Sequence, residues 1–315
     1  MSLVAMLPSA FTMPMVAPAS NRVVSPRMSM TEEAAKAAWL ARLETPTWGQ
    51  GQVVPTGAPA AAENIPFVHE PISHFALHNL AAKGTRRSQG SLVDVGEPED
   101  FSRPLVKDGP AWNGARSGSW MCTEGGWDSP KLRPTTESFL VLDGEGCVTD
   151  VDGTQHPFGP GDVVVLPKYW SGRWDIYRQI HKVWVVHDHE DVPGAPNGAN
   201  GIVRAVIAST PSFDPSVPPV VQGAMHDAPA HVSHTIYDVA SRVGFLLSTP
   251  GSFTVAPRTT AEVFMVVDGV FFLTNVDGTA RRCVAGDTIV LPEGWSGSWD
   301  VIEPGRSVWV QVGGA

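Results

Sequence analysis

Charged residues that could hold a small anion recur at one place in each half of the chain. The first half carries Lys131, Arg133 and Glu137, and the second carries Arg258 and Glu262. If the segment around Lys131 and Arg133 is an extended strand, the alternation of side chains along it puts both residues on the same face. Arginine presents a planar fork of donors that matches a carboxylate. These residue types indicate either anion binding or an internal ion pair in each half.

Aromatic residues follow the charged residues in both halves. They are Tyr169, Trp170, Trp174, Trp295 and Trp299. Such residues form the apolar wall of many ligand pockets, and they also dominate the packing of small β-barrels. The sequence does not choose between these two roles. We take the five residues, with Lys131, Arg133, Arg258 and Glu262, as candidate substrate-binding residues.

The chain contains an internal repeat. Residues 161–175 recur as residues 286–300, an offset of 125 positions. The match runs without a gap from Arg133/Arg258 to His187/Val312, and 25 of 55 positions are identical. Identity at this level over this length predicts two copies of one structural unit.

Each copy is punctuated by turn residues. Asp143-Gly144 and Asp152-Gly153 interrupt β-rich runs in the first copy, and both dipeptides recur in the second. Asp-Gly between such runs predicts a two-residue hairpin turn. Short strands at regular spacing are typical of a sandwich or closed barrel, and not of a sheet with helical crossovers.

The rest of the chain divides by composition. Residues 1–31 hold no Asp or Glu, which indicates a transit peptide or a disordered leader. We interpret residues 32–109 as an extension and linker that begins with a helix over 32–43. The two repeated units are assigned to residues 110–190 and 225–315. Residues 191–224 between them form a Pro/Gly-rich connector. A transit peptide would place the protein in a plastid; without one, the cytoplasm is expected.

Charge and cysteine content narrow the function classes. The formal net charge is −10 and no basic stripe is present, which argues against nucleic-acid binding. The sequence has no apolar run near the roughly 20 residues of a membrane span. Three scattered cysteines do not suggest a disulfide framework or a zinc knuckle.

The spacing of several residues resembles the cupin family. The first cupin motif is matched by Gly125, Glu137 and Gly144, and the second begins at Gly161 and Pro167. The Trp-Ser-Gly-x-Trp-Asp sequence that follows is similar to the cupin domains of the (S)-ureidoglycine aminohydrolase type. The resemblance implies an all-β bicupin, with two double-stranded β-helix barrels after a short helical N-terminal extension.

The chain departs from the family at the metal ligands, which are three histidines and one glutamate. The positions that match the histidines hold Lys131, Arg133 and Gly172 in one unit and Ala256, Arg258 and Gly297 in the other. A protonated amine or guanidinium has no lone pair to give a metal. We therefore expect no metal and no other cofactor. A rebuilt site that uses His156, His181 or Cys147 stays open as an alternative.

In the resemblance, Lys131 and Arg133 face the barrel interior together with Glu137, which leaves a net positive pocket. The sequence thus predicts a metal-independent bicupin that binds a small anionic metabolite. A catalytic version would be a hydrolase or lyase on a ureido or amino acid, with Glu137 as general acid/base. The alternative is a structural or assembly bicupin with degenerate pockets, whose barrel faces would make homodimer contacts.

Overall fold

Strands dominate the described residues, which are 65–106, 114–211 and 231–313 of a computed structural model. The remaining segments include the predicted leader and the predicted helix over 32–43, which therefore lie outside the described residues. In the part that is described, no helix has the length and apolar character needed to cross a membrane. The predicted all-β class is confirmed, and the strands form two sheets.

The first sheet contains ten strands and is built around the first copy of the repeat. They are β2 (Ala81–Thr85), β3 (Leu92–Val95), β4 (Glu99–Val106), β5 (Ala115–Cys122), β6 (Gly125–Ser129), β7 (Thr136–Asp150), β8 (Gln155–Phe158), β9 (Asp162–Leu166), β10 (Gly172–His187) and β11 (Val206–Ser209). The main strand order is β11-β9-β7-β10-β5-β4-β2, while β6 pairs with β10 and β3, and β8 pairs with β7. We call this sheet barrel 1.

The second sheet contains eight strands and holds the second copy. They are β1 (Val68–Glu70), β12 (His231–Asp238), β13 (Ser241–Ser248), β14 (Gly251–Val255), β15 (Ala261–Asn275), β16 (Ala280–Val284), β17 (Thr288–Leu291) and β18 (Gly297–Val312). The main order is β1-β17-β15-β18-β13-β12, with β14 on β18 and β16 on β15. We call this sheet barrel 2.

The described part of the segment before the first copy contains no α-helix. Its described part holds strands and two short 3-10 helices, Ile72–Phe75 and Leu77–Asn79. Strand β1 pairs with β17 of barrel 2, with Val68 opposite Val290. Strands β2, β3 and β4 instead join barrel 1. Both barrels are therefore extended by residues that the repeat does not cover.

The two Asp-Gly dipeptides of each copy have different structures. Asp152-Gly153 lies in the hairpin between β7 and β8, as predicted, but the loop has three residues, Val151 to Gly153, and not two. Asp143-Gly144 does not form a hairpin, because β7 continues through it and pairs with β10 on both sides, with irregular register nearby. Gly144 has a φ of +93°, and a Cβ there would lie 2.2 Å from the carbonyl oxygen of Gln179. The dipeptide therefore lets two long strands bend past each other at close range.

Alternation along the strands separates three cores. One lies between the barrels and includes Leu140, Val163 and Val183 from barrel 1 and Val263, Met265 and Val310 from barrel 2. The residues of opposite phase fill the two barrel interiors. His187 of β10 also hydrogen-bonds across the interface, with its Nδ1 2.8 Å from the hydroxyl of Ser241. The barrels thus share one apolar interface.

This shared interface predicts that the two barrels unfold together. Met265 is 1% exposed within it, so Met265→Ala should cost about 2–5 kcal/mol of unfolding free energy because it leaves a cavity. Urea unfolding followed by tryptophan fluorescence and by far-UV circular dichroism should give coincident transitions, both shifted by the substitution. Val276→Ala, at a side chain that is 58% exposed, is the control. Two separated transitions would contradict a shared core.

Candidate functional site

A buried carboxylate shared by two cations lies inside barrel 1. Glu137 accepts a hydrogen bond from the Arg133 guanidinium at 2.6 Å and another from Lys182 Nζ at 2.7 Å. Glu137 and Lys182 are buried, and the Arg133 side chain is 26% exposed. Because one carboxylate is paired with two cations, these three side chains together carry a net charge of +1.

Lys182 is held among aromatic rings. Its Nζ lies 3.8 Å from the ring centroid of Phe139, 4.6 Å from that of Trp120 and 4.8 Å from that of Trp174. A cation over aromatic faces is attracted by their quadrupoles. The sequence interpretation missed Lys182. Alternation in β10 could have revealed it, because Lys182 has the same phase as Trp184 and the second copy has Ser307 at the matching position.

The protonation of this group follows from its contacts. Burial pushes the pKa of Glu137 upward, but attraction to Lys182 and Arg133 outweighs burial and holds the pKa at about 2. Burial lowers the pKa of Lys182, and the attraction of Glu137 opposes that shift. Glu137 is therefore ionised at all physiological pH values and is a weak proton acceptor.

Lys131 and Arg133 lie in a loop, not on a strand. Residues 130–135 separate β6 from β7, and Pro130 and Pro134 interrupt the hydrogen-bonding pattern of a ladder. The expectation that both cations share the barrel interior with Glu137 is therefore wrong for Lys131, which is exposed. Both residues nevertheless line the same cavity.

This cavity lies at the mouth of barrel 1 and has a volume of about 640 Å³. Its polar lining includes Arg116, Asp128, Lys131 and Arg133, and its aromatic lining includes Trp170 and Trp184. One wall is residues 89–92, at the start of β3. Strand β3 is fixed there by pairing with β6. We call this space the mouth cavity.

Tyr169 lies elsewhere, beside a second cavity of about 500 Å³ next to the connector. Its hydroxyl donates a hydrogen bond to Asp191 at 2.7 Å. Its φ is +71°, a left-handed value that costs a non-glycine residue energy, and the repeat has Gly294 there with φ +82°. Its backbone N–H bonds the Arg133 carbonyl at 2.7 Å, so Tyr169 fixes the backbone of Arg133 from outside the mouth cavity.

The two predicted tryptophans of barrel 1 have separate places. Trp170 is fully buried, donates its indole N–H to Asp150 at 2.7 Å and lines the mouth cavity. Trp174 is 5% exposed and packs in the interior against Trp127, Phe139 and Lys182. The sequence left open whether these tryptophans form an apolar wall or pack in the core. In the structure Trp170 lines the cavity, and Trp174 packs in the core. Their role in substrate binding stays a prediction.

Barrel 2 repeats the ion pair without the second cation. Arg258 contacts Glu262 directly, and burial lowers the pKa of Arg258 to about 10, so it stays charged at neutral pH. Trp295 is fully buried and donates to Asn275 at 2.9 Å, while Trp299 is 4% exposed and stacks on Phe271. The charges of Arg258 and Glu262 cancel, in contrast to the excess in barrel 1.

The residues present do not suit a metal centre. Both oxygens of Glu137 are already bonded to cations. Gly172 cannot be replaced by a ligand side chain without movement, because a Cβ there would lie 2.1 Å from the Thr149 carbonyl oxygen; Gly297 is similarly closed, with 2.2 Å to the Thr274 carbonyl oxygen. Among the described ranges, no three His, Cys, Asp or Glu residues form a group that could hold a metal ion.

The alternative metal ligands have other partners. His156 Nε2 lies 2.7 Å from Asp150, and His181 Nε2 lies 2.8 Å from the Ser119 hydroxyl. Burial lowers the pKa of His181 to about 4. Cys147 donates its thiol to the carbonyl of Val148 at 3.4 Å. These contacts suit packing roles, while metal independence of the whole protein stays a prediction.

Comparison with known proteins identifies the domains. Residues 113–184 and 238–308 each match the family model of the EutQ-like cupin domain. The predicted cupin resemblance is thereby confirmed, and this chain is a protein with two repeated cupin domains. The finer likeness to the ureidoglycine aminohydrolase type stays a prediction. No curated protein matches the chain.

Solved structures share the fold at low sequence identity. A glyoxylate-induced protein, as it is described, from Pseudomonas aeruginosa has a TM-score of 0.56 at 14% identity, over 85% of this chain and 97% of its own. Salicylate 1,2-dioxygenase from Pseudaminobacter salicylatoxidans has 0.51 at 15% identity, over 91% and 95%. A protein of unknown function of the DUF861 family from Pseudomonas syringae pv. tomato has 0.51 at 17%, over 67% and 86%. These likenesses show the fold alone.

The shared carboxylate predicts an order of stabilities at pH 7. Glu137→Gln should destabilise the fold by about 3–5 kcal/mol, because it leaves buried Lys182 without its anion. Lys182→Met should cost less, because Glu137 keeps Arg133, and the double variant should be more stable than Glu137→Gln alone. Urea unfolding measures all three. A double variant less stable than Glu137→Gln would contradict this account.

The same contacts predict an acid limb. The pKa of Glu137 is about 2, below its ordinary value of 4.5. Its contribution, on the order of 3 kcal/mol, is therefore present above about pH 4.5 and is lost as the pH falls through 2. The unfolding free energy of Glu137→Gln should fall less between pH 5 and pH 2 than that of the native protein. Glu303→Gln, on an exposed carboxylate, is the control.

The lack of space for a ligand side chain at Gly172 and Gly297 predicts that the protein binds no metal. Protein purified without chelator should contain well under one transition metal ion per chain by elemental analysis. Addition of manganese, iron, zinc or nickel should leave the melting temperature unchanged, because a metal that bound only the folded state would raise it. A full equivalent of any of these metals would overturn the expectation.

Proposed function

We propose that this protein is a metal-independent bicupin whose barrel 1 binds an anionic metabolite at the mouth cavity. The observation that carries the proposal is the charge excess of Arg133, Glu137 and Lys182, two cations on one buried carboxylate. The excess charge falls on Arg133, whose side chain is 26% exposed and lines the mouth cavity, and a bound anion would balance it. The mouth cavity gives such an anion a place beside Arg133.

The contacts of Arg133 support this proposal further. One guanidinium nitrogen bonds Glu137, while its buried Nε has no hydrogen-bond partner. Lys131 lines the same cavity and adds positive charge near it. Arg258 in barrel 2 also has a buried Nε without a partner, but the pair it forms with Glu262 is neutral. Charge therefore favours barrel 1 as the binding site.

Binding is favoured over catalysis by the state of Glu137. A general acid needs a proton near neutral pH, and a carboxyl with a pKa of about 2 has none to give. We therefore propose that Glu137 orients Arg133. A hydrolase or lyase on a ureido or amino acid, of the ureidoglycine aminohydrolase type, remains the catalytic version of the proposal. It would need a ligand that raises the pKa of Glu137.

Ligand-dependent thermal stability tests the proposal. Acetate, phosphate, hydantoate and larger carboxylates should be screened against the native protein, because a ligand that binds the folded state raises its melting temperature. We expect a carboxylate to stabilise the native protein. Arg133→Gln should weaken its binding about ten- to a hundredfold, the cost of roughly 1.5–3 kcal/mol for one charge-assisted bond. Lys131→Gln, at an exposed residue, should weaken it several-fold without loss of stability.

Two substitutions in barrel 2 serve as controls. Arg281→Gln removes an exposed cation of β16 and should leave binding unchanged. Arg258→Gln removes the matching arginine of the repeat and should leave binding unchanged if the variant folds. Binding that survives Arg133→Gln and disappears with Arg258→Gln would move the site to barrel 2. If no anion stabilises the native protein, the structural or assembly bicupin becomes the better interpretation.

A further inference from the structure

We infer that the mouth cavity selects anions that carry a flat aromatic body over small anions. This inference rests on the proposed function and names the class of ligand for the same site. It follows from the size of the cavity, from the rings and apolar side chains around it, and from the position of the cations.

The cavity is too large for a small anion alone. Acetate has four heavy atoms, and at roughly 30 Å³ for each it would occupy on the order of 100 Å³. The cavity volume is about 640 Å³, within the roughly 300–1,000 Å³ range of sites that hold larger organic ligands. A small anion would therefore leave most of the apolar side chains that line the cavity without a ligand contact. A ligand with a sizeable apolar part would fill the cavity.

Trp184 offers that part a flat surface. It projects from β10 into the lining of the mouth cavity and is only half-buried. Its ring rests on Gly118 of the neighbouring β5, where a Cβ would come within 2.6 Å of the indole. Gly118 therefore fixes the ring against the sheet. An aromatic ligand stacked on a fixed indole gains more than its buried area alone provides.

The rim of the cavity is also apolar. Leu92 is 61% exposed and Leu132 is 51% exposed, and both line the cavity with Pro130 and Pro134. The carboxylate of Asp128 lies in the same lining, and it shares the guanidinium of Arg173 with Asp94 and Asp175. Lys131 and Arg133 line the same cavity and supply the positive charge that the anionic end of a ligand would contact. A ligand with one anionic end and a flat apolar end matches this arrangement.

Barrel 2 shows what the same tryptophan does without such a cavity wall. Trp309 matches Trp184 in the repeat, but it is only 6% exposed and Arg242 lies over its ring at 5.8 Å. The wall of residues 89–92 that faces Trp184 comes from a segment outside the repeat. Trp309→Leu is therefore a matched control for Trp184→Leu.

The test compares four probes by titration calorimetry on the full-length protein. The probes are 1-naphthoate, cyclohexanecarboxylate, acetate and the uncharged 1-naphthalenemethanol. We expect 1-naphthoate to bind roughly tenfold more tightly than cyclohexanecarboxylate, and acetate to bind most weakly of the three anions. Trp184→Leu should weaken 1-naphthoate roughly tenfold and acetate less than twofold, and Trp184→Phe should restore most of the affinity. Trp309→Leu should change neither.

The outcomes separate this inference from the proposed function. If acetate and 1-naphthoate bind equally well, or the preference for 1-naphthoate survives Trp184→Leu, the aromatic selectivity is wrong and anion binding stands. If no anion binds, or 1-naphthalenemethanol binds as tightly as 1-naphthoate, the proposed function fails and the inference fails with it. If Trp184→Leu does not fold, the probe series on the native protein and on Trp184→Phe decides.

Discussion

The carboxylate of Glu137 is the constraint on which the interior of barrel 1 depends. A cation as deeply buried as Lys182 needs an anion within contact distance, and Glu137 supplies it at 2.7 Å. The same carboxylate bonds Arg133 at 2.6 Å and so fixes the residue that reaches the mouth cavity. Three aromatic rings surround the remaining sides of the ammonium group. Interior packing and the charge of the cavity are therefore set by one ion group.

The two barrels show how one sequence repeat supports two different interiors. Both keep an arginine and a glutamate four residues apart, and both keep a buried tryptophan that bonds a polar side chain, Asp150 or Asn275. They differ where Lys182 is matched by Ser307, and where β3 builds a wall beside barrel 1. The substitution at this interior position and the added strand β3 thus distinguish barrel 1, which has a charged cavity, from barrel 2, which has a neutral ion pair.

Much of the fold could be predicted from the sequence. The repeat, the strand-length apolar runs and the cupin motif spacing predicted two β-barrels, because these signals are local and occur twice. The turn at Asp143-Gly144 was predicted wrongly, since close approach of a neighbouring strand demands glycine just as a hairpin does. The pairing of β1 with β17 joins residues 218–222 positions apart, and no local pattern encodes it.

The site was predictable only in part. Arg133 and Glu137 were found from their spacing, and they form the ion pair that the sequence left open as one of two alternatives. Lys131 was placed on a strand that Pro130 and Pro134 prevent. Lys182 was missed although alternation in β10 marks it as an inward residue. Trp184 was missed as a site residue because a tryptophan inside an apolar run has the same local pattern whether it packs in a core or lines a cavity. The wall at residues 89–92 lies outside the repeat, so comparison of the two copies gave no signal for it.

The pairing of β1 with β17 ties the beginning of the described chain to its end. During synthesis β1 emerges before barrel 1, yet its partner strand follows more than two hundred residues later. Phe67, next to β1, packs edge-on against Trp295 in the interior of barrel 2. Barrel 2 cannot close on the ribosome until nearly the whole chain is available, and cutting the protein in the connector would leave the edge of β17 uncovered. Such an open edge invites pairing with another chain, so the two repeats are not interchangeable modules that could be exchanged or expressed apart.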